Sequence, residues 1–246
     1  MEKKLKHIEN GYEVATGSEC HYSKNRNTLE DLSKSESWFL IKYLSAVETI
    51  LDIGCACGGG YAFCSQQNKK IKYHGIDISD KFVALAKIKY GEKAIFSRYD
   101  GYNVPFSNNT IDLVFCFGVL HHLLHWRKII EQMYAISRKY IIFDLRLHPK
   151  DTIENPKDSY LRVAFDNKWD GETIMPYCII NIKEAKKFIR ALISSDDSLE
   201  VYGYRHKPTP QAVTPTQDIL MITICIEKES KKPSINLADL DQLWQK

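Results

Sequence analysis

The stretch Thr49-Ile50-Leu51-Asp52-Ile53-Gly54-Cys55-Ala56-Cys57-Gly58-Gly59-Gly60 limits what this chain can fold into more than any other. An apolar run ends in an acid and a glycine, a turn of small residues follows, and Tyr61-Ala62-Phe63-Cys64 opens a helix. A strand that feeds a glycine turn and then a helix N-terminus presents backbone N–H groups to a polar or anionic ligand. The stretch alone leaves the ligand open. Gly54-x-Ala56-x-x-Gly59 approximates the dinucleotide fingerprint, and Asp77, about 20 residues on, stands where a ribose-binding acid belongs.

The pattern that follows calls for a doubly wound, mostly parallel sheet. Residues 71–78 read as a second strand, and Ser79 is the N-cap of a helix over 81–90 that Gly91 closes. Residues 94–99 form a third strand. The nearly continuous apolar run 111–117 fits a central strand covered on both faces. A helix over 126–137 and a fifth strand over 140–145 follow. From 147 to 181 the rhythm breaks into Asp, Asn, Pro and aromatic residues, too long a stretch for an ordinary connection. Asn181 with Glu184 has the form of an N-cap and opens a helix to about residue 194. The runs 199–205 and 219–227 have no helix between them, which predicts an antiparallel hairpin. Amphipathic helices are expected over 28–47 and, briefly, over 237–244. The expected organisation is one domain over 1–246. It comprises an N-terminal helical lid segment (1–47), a cofactor-binding core (48–146), an insertion contacting substrate (147–181), the C-terminal half of the sheet (182–228) and a tail (229–246).

The formal net charge of +3, with no Lys/Arg stripe, argues against nucleic-acid and anionic-membrane partners. No stretch approaches the roughly 18 apolar residues of a membrane span, and the basic N-terminus lacks the apolar core of a signal peptide. Seven cysteines without a paired framework fit a reducing, cytoplasmic setting. Cys55-x-Cys57 and Cys64 read as small-residue packing in the turn, so no metal is expected.

Several features separate the turn from a dinucleotide site. Asp52, two residues before the first glycine, can face an ammonium but has little use beside a pyrophosphate. No Arg or Lys lies in the turn. Asp100, after the third strand, is suited to accept from an adenine amino group, and the terminal hairpin departs from an all-parallel fold. Leu51-Asp52-Ile53-Gly54-Cys55-Ala56-Cys57-Gly58, Gly75-Ile76-Asp77-Ile78-Ser79, Asp100 with Val104-Pro105-Phe106, and Ile111-Asp112-Leu113-Val114-Phe115 followed by Val119-Leu120-His121-His122 together resemble class I S-adenosylmethionine-dependent methyltransferases. The order and spacing match over about residues 48–145. The resemblance implies an α/β fold with a seven-stranded sheet, its last strand antiparallel. It also implies S-adenosyl-L-methionine as cofactor and S-adenosyl-L-homocysteine as product. On it, Asp52 and Gly54 hold the methionine end, Asp77 the ribose hydroxyls and Asp100 the adenine amino group, with Ile78 and Tyr99 flanking the ring. Cys55, Gly58, Gly101 and Phe117 complete the cofactor set. Two positions depart from the family pattern: Ala56 replaces the middle glycine, and Ser137-Arg138-Lys139 replaces a proline-glycine-glycine turn.

Methyl transfer from a sulfonium needs an aligned acceptor, excluded water and often a base. His121 and His122 follow the fourth strand and suit that role. Neighbouring residues cannot point the same way, so at most one reaches substrate. His125 reads as surface at the helix start. The chain has Phe117-Gly118-Val119-Leu120 where methylases of adenine amino groups carry Asn/Asp-Pro-Pro-Tyr, which argues against nucleic-acid methylation. His21, Tyr22, Arg146, Trp169 and Tyr177 are the candidate acceptor contacts. With His148, Arg162, Arg205, His206 and Lys207 they make a basic, aromatic surface suited to a phosphorylated, carboxylated or sugar-nucleotide acceptor. The expected function is O-methylation of a small molecule: a sugar, a phosphorylated metabolite, or a natural-product or surface-glycan intermediate. The alternatives are N-methylation of a small amine or protein side chain, a cofactor-binding subunit without turnover, and an NAD-dependent oxidoreductase.

Overall fold

The computed structural model describes residues 5–7, 21, 24, 26–164, 169–235, 237 and 239–244. In chain order these form β1 (Lys6–His7), α1 (Lys34–Tyr43), β2 (Thr49–Ile53), α2 (Gly59–Gln67), β3 (Lys72–Asp77), α3 (Asp80–Tyr90), β4 (Ile95–Arg98) and β5 (Ile111–Cys116). There follow α4 (Trp126–Ile136), β6 (Ser137–His148), β7 (Tyr160–Arg162), β8 (Thr173–Pro176), β9 (Ile180–Asn181), α5 (Ile182–Leu192), β10 (Ser198–His206), β11 (Ala212–Val213), β12 (Ile219–Glu227) and α6 (Asp239–Leu243). None of the described helices is long and apolar enough to cross a membrane.

The main sheet runs β10-β12-β6-β5-β2-β3-β4. Its five strands from β6 to β4 are parallel, and β12 is antiparallel to both β6 and β10. The predicted closing hairpin is therefore present, and β9 adds a short parallel pairing at the end of β6. Side-chain alternation sorts the central strands into two cores. Leu51 and Ile53 of β2 face a cluster built with Trp126, Ile129, Ile130 and Met133 of α4, whose i, i+3, i+4, i+7 spacing makes one apolar stripe. Ile50 faces the opposite cluster, with Phe39 and Leu40 of α1 and Phe63 of α2.

The caps predicted at Ser79 and Asn181 hold, and α1 has one that was not predicted. Ser33 and Glu36 form a reciprocal capping box at α1, with Ser33 N donating to Glu36 Oε2 at 2.9 Å. Ser79 Oγ accepts from Phe82 N at α3, and Asn181 Oδ1 accepts from Lys183 N at 2.7 Å at α5.

The 147–181 region differs from the irregular connection its composition predicts. Most of its regular structure is a second sheet, β1-β8-β7-β11, which draws strands from three distant parts of the chain. Leu161, Met175, Tyr177 and Ile179 form its own small core with Ile219. Strands of two to four residues carry too little periodicity to be recognised, and each is held by partners far away in sequence.

Candidate functional site

A crevice opens at the carboxyl ends of the parallel strands, where β2 has β3 on one side and β5 on the other. Strand order reverses there, and the connections leave in opposite directions, so a gap is unavoidable. The glycine turn lies along this gap. Gly54 N and Cys55 N both donate to Ile76 O, at 2.8 and 3.1 Å. Gly54 has φ +82°, and a Cβ on it would overlap the Val119 side chain, so both backbone and space require glycine. Ala56 also sits left-handed, at φ +45°, a conformation that costs an L-residue about 1–2 kcal/mol. It is held there because its N–H donates to Asp77 Oδ2 at 2.9 Å. Asp77 Oδ1 accepts from Ser79 N at 2.9 Å, so one carboxylate ties the glycine turn to the start of α3.

Asp52 and Asp77 both line the crevice, as do Gly54, Cys55 and Ile78. Tyr99, Gly101 and Phe117 complete the predicted cofactor residues found in its wall. Asp52 is buried on β2 and accepts a hydrogen bond from the Tyr73 hydroxyl. Burial lifts its carboxyl to about 7, against the Tyr73 hydrogen bond and the Arg26 guanidinium, which pull it down.

Gly58 and Asp100 stand outside the wall. The Asp100 carboxylate is exposed and folds onto its own loop, accepting from Asn103 N at 2.7 Å, Asn103 Nδ2 at 2.8 Å and Tyr102 N at 2.8 Å. Those bonds hold it at about 2. Its work in this geometry is to shape the turn that carries Gly101 and Tyr102 into the crevice.

Arg26 and His125 are among the wall residues that escaped the sequence reading. Arg26 lies in a strap, residues 26–31, across the glycine turn. Asp31 Oδ2 accepts from Asn27 N and Thr28 N, at 2.9 and 3.0 Å, and Lys89 Nζ donates to Asn27 Oδ1 at 2.7 Å. A Cβ on Gly59 would overlap the Arg26 carbonyl oxygen. The Arg26 guanidinium pairs with the buried Glu36 at 3.5 Å and lines the crevice. His125, expected at the surface, is instead half-buried in the wall. Its ring stacks on Tyr102 with centroids 4.2 Å apart, and Nε2 meets Gly101 O at 2.8 Å. Neither residue sits in a periodic pattern that reports its neighbours.

The two histidines occupy a single turn, Leu120–His122, and are both buried. Their environments differ. His122 lines the crevice, and its Nδ1 lies 2.8 Å from Pro176 O. A carbonyl can only accept, so Nδ1 carries the proton and the neutral ring presents Nε2 as acceptor. Burial lowers its pKa to about 4. His121 is not in the wall; its ring packs edge-on to Tyr177, and its buried Nδ1 has no hydrogen-bond partner. Burial and the neighbouring His122 hold it well below the usual imidazole range.

The predicted acceptor contacts do not converge on the crevice. Arg146 is buried behind the histidine turn, donating to Asp144 Oδ2 at 2.5 Å and bonded to the Tyr177 hydroxyl. Asp144 Oδ1 accepts from Gly118 N at 2.7 Å. Arg146 and Tyr177 thus brace the wall and do not line it. Trp169 Nε1 donates to Thr173 O, with Arg162 over its ring, away from the crevice. His21 is exposed and outside the wall. Tyr22 lies outside the described residues.

A family model described as a methyltransferase domain matches residues 50–139. That span contains the glycine turn, Asp77 and the histidine turn. Residues 50–139 are therefore similar to a methyltransferase domain. Over 90 residues the chain is 24% identical to the phthiotriol/phenolphthiotriol dimycocerosates methyltransferase of Mycobacterium tuberculosis, covering 36% of this chain and 33% of that one. The chain thus spans about one third of the length of the curated relatives it matches. In structure it is similar to a SAM-dependent methyltransferase of Methanosarcina mazei (TM-score 0.56, 19% identity, 77% of this chain and 96% of that one). It is also similar to a phosphoethanolamine N-methyltransferase of Haemonchus contortus (TM-score 0.54, 12% identity, 78% and 53%). At these identities the two structures share the methyltransferase fold.

Proposed function

We propose that the protein transfers a methyl group from S-adenosylmethionine to a hydroxyl of a small molecule, with His122 as the general base. The observation that carries this reading is the placement of His122 in the same crevice wall as Asp52 and Asp77, with Nδ1 donating to Pro176 O.

The residues fit the cofactor by their chemistry. The left-handed turn at Gly54 lays the loop backbone along the crevice, and Asp77 offers a carboxylate to vicinal hydroxyls. Asp52 suits an ammonium and Arg26 a carboxylate, the two charges of a methionine moiety, while Ile78 and Tyr99 offer apolar surface to a base. When bound, S-adenosylmethionine supplies a methyl on a sulfonium sulfur, which keeps the carbon–sulfur electron pair as the acceptor oxygen bonds the methyl carbon. His122 Nε2 takes the hydroxyl proton. The carbonyl of Pro176 keeps the ring in the tautomer this needs, and the low pKa keeps it neutral at physiological pH. The strap at 26–31 and the second sheet contribute Arg26 and Met175 to the crevice wall.

Ligand linkage tests the reading: S-adenosylhomocysteine should raise the melting temperature, a ligand at 100 times its Kd adding about 2.7 kcal/mol. Stabilisation by NAD(H) in its place would return the turn to the dinucleotide class. Retained S-adenosylhomocysteine binding with no methylated product from any acceptor would instead favour a binding subunit.

A further inference from the structure

Which kind of hydroxyl the site takes follows from the acceptor side of the crevice. The wall that holds His122 includes the apolar side chains of Phe117, Val119, Leu123 and Met175. Met175 comes from β8 of the second sheet, where it belongs to the small apolar core. That strand is fixed over the histidine turn at two points: Pro176 O on His122 Nδ1, and Cys178 N donating to His121 O at 2.7 Å. The apolar wall is therefore part of the same rigid unit as the base.

The charged side chains near it are paired with one another. Among the described residues Arg26 is the one Arg or Lys in the crevice wall; its carbonyl lies against Gly59, and its guanidinium, paired with Glu36 at 3.5 Å, reaches towards Gly118. Arg146 is bonded to Asp144, Arg205 is 2.9 Å from Asp218, and Arg127 is 3.0 Å from Glu154. None of these three lines the crevice. A phosphate or carboxylate on the acceptor would be desolvated against methionine and valine side chains, and the one cation in the wall already faces Glu36, so its burial is costly.

Resting on the methyltransferase reading above, we propose that the acceptor is an uncharged, apolar phenol, seated against Met175 and Leu123 with its hydroxyl at His122 Nε2. The depressed basicity of His122 favours a phenol over an alkyl alcohol, because a phenolic proton, with a pKa of about 10, is the easier one to remove. The oxygen bonds the methyl carbon, the carbon–sulfur pair stays on sulfur, and the phenolic proton ends on His122.

The test uses the full chain with S-adenosylmethionine and reads S-adenosylhomocysteine release. One acceptor panel is of uncharged phenols, such as 2-naphthol and 4-hydroxybenzyl alcohol. The other is charged, with glucose 6-phosphate, phosphoethanolamine and 4-hydroxybenzoate. Turnover confined to the uncharged phenols is expected, with Met175→Glu lowering kcat/KM for 2-naphthol at least tenfold and Met175→Leu retaining it. S-adenosylhomocysteine affinity should be unchanged in both variants, which separates lost acceptor fit from lost fold. Preferential turnover of the charged panel, or a Met175→Glu enzyme as active as wild type, overturns the acceptor class and leaves the methyltransferase reading standing. Cofactor binding without turnover of either panel also overturns it. Failure to bind S-adenosylhomocysteine removes both.

Discussion

The two sides of the crevice are built in opposite ways. On the side proposed for the cofactor, Asp52, Gly54, Asp77 and Tyr99 lie at or near the ends of consecutive parallel strands, and short backbone bonds such as Gly54 N to Ile76 O hold them. The acceptor side is a composite. The histidine turn comes from the region after β5, and its cover comes from β8, in a sheet that joins residues near 6, 160, 174 and 212. A site made of adjacent strand ends is fixed once the sheet forms. A site made of distant short strands is fixed only by packing, so its chemistry can vary while the cofactor side stays the same.

This contrast predicts separable phenotypes. His122→Gln should lower kcat by about 10²–10⁴-fold, the usual worth of a general base, while S-adenosylhomocysteine affinity stays within about twofold; an equal loss in both would mean that the two sides are not independent. The same variant should alter acid stability. The native ring has a pKa of about 4 against the ordinary ~6.5, so protonation of the unfolded chain costs native stability as pH falls from about 6.5 to 4 and has no effect above that range. Urea melts across that range should show a shallower loss for His122→Gln.

Asp77→Ala belongs to the other side. It removes the acceptor shared by Ala56 N and Ser79 N, each left-over donor costing about 1–3 kcal/mol. Calorimetry should show cofactor affinity reduced by about 100-fold or more, and thermal melts a lower midpoint. Unaltered affinity would show that the turn binds something other than a ribose.

Asp52→Asn gives a smaller and pH-dependent effect. The buried carboxyl, raised to about 7, must lose its proton to receive an ammonium. Affinity for S-adenosylhomocysteine should therefore fall as pH drops from 7 towards 5, by up to about tenfold per unit, and the asparagine variant should lose that slope. Smallest is Arg26→Gln, expected to weaken S-adenosylhomocysteine several-fold, of the order of a partly exposed charge-assisted bond. It should leave 5′-methylthioadenosine, which lacks the carboxylate, unaffected; equal weakening of both would assign Arg26 to the strap's structure alone.

The cofactor side was legible because its signals are local. A glycine that must be left-handed, an acid before it and an acid about 20 residues on are read directly from the chain. Asp100 marks the limit of that reading. Its position after the third strand was correct, but its carboxylate is occupied by the amides of its own loop, and no spacing reports that. His125 and Arg26 were missed for the converse reason: they reach the crevice through packing, His125 on Tyr102 and Arg26 beside Glu36. The basic residues read as an acceptor surface face other partners, because sequence gives charge but not the counter-charge beside it.

From sequence alone came the parallel sheet, its antiparallel hairpin, the helix caps and the glycine turn. Each depends on residues within a few positions of one another or on a repeating apolar period. Tertiary structure decided which histidine reaches the crevice, that Met175 and not Arg146 meets its contents, and that strands from three distant segments form one cover. Those outcomes depend on contacts between residues tens to more than a hundred positions apart, and only the folded chain brings them together.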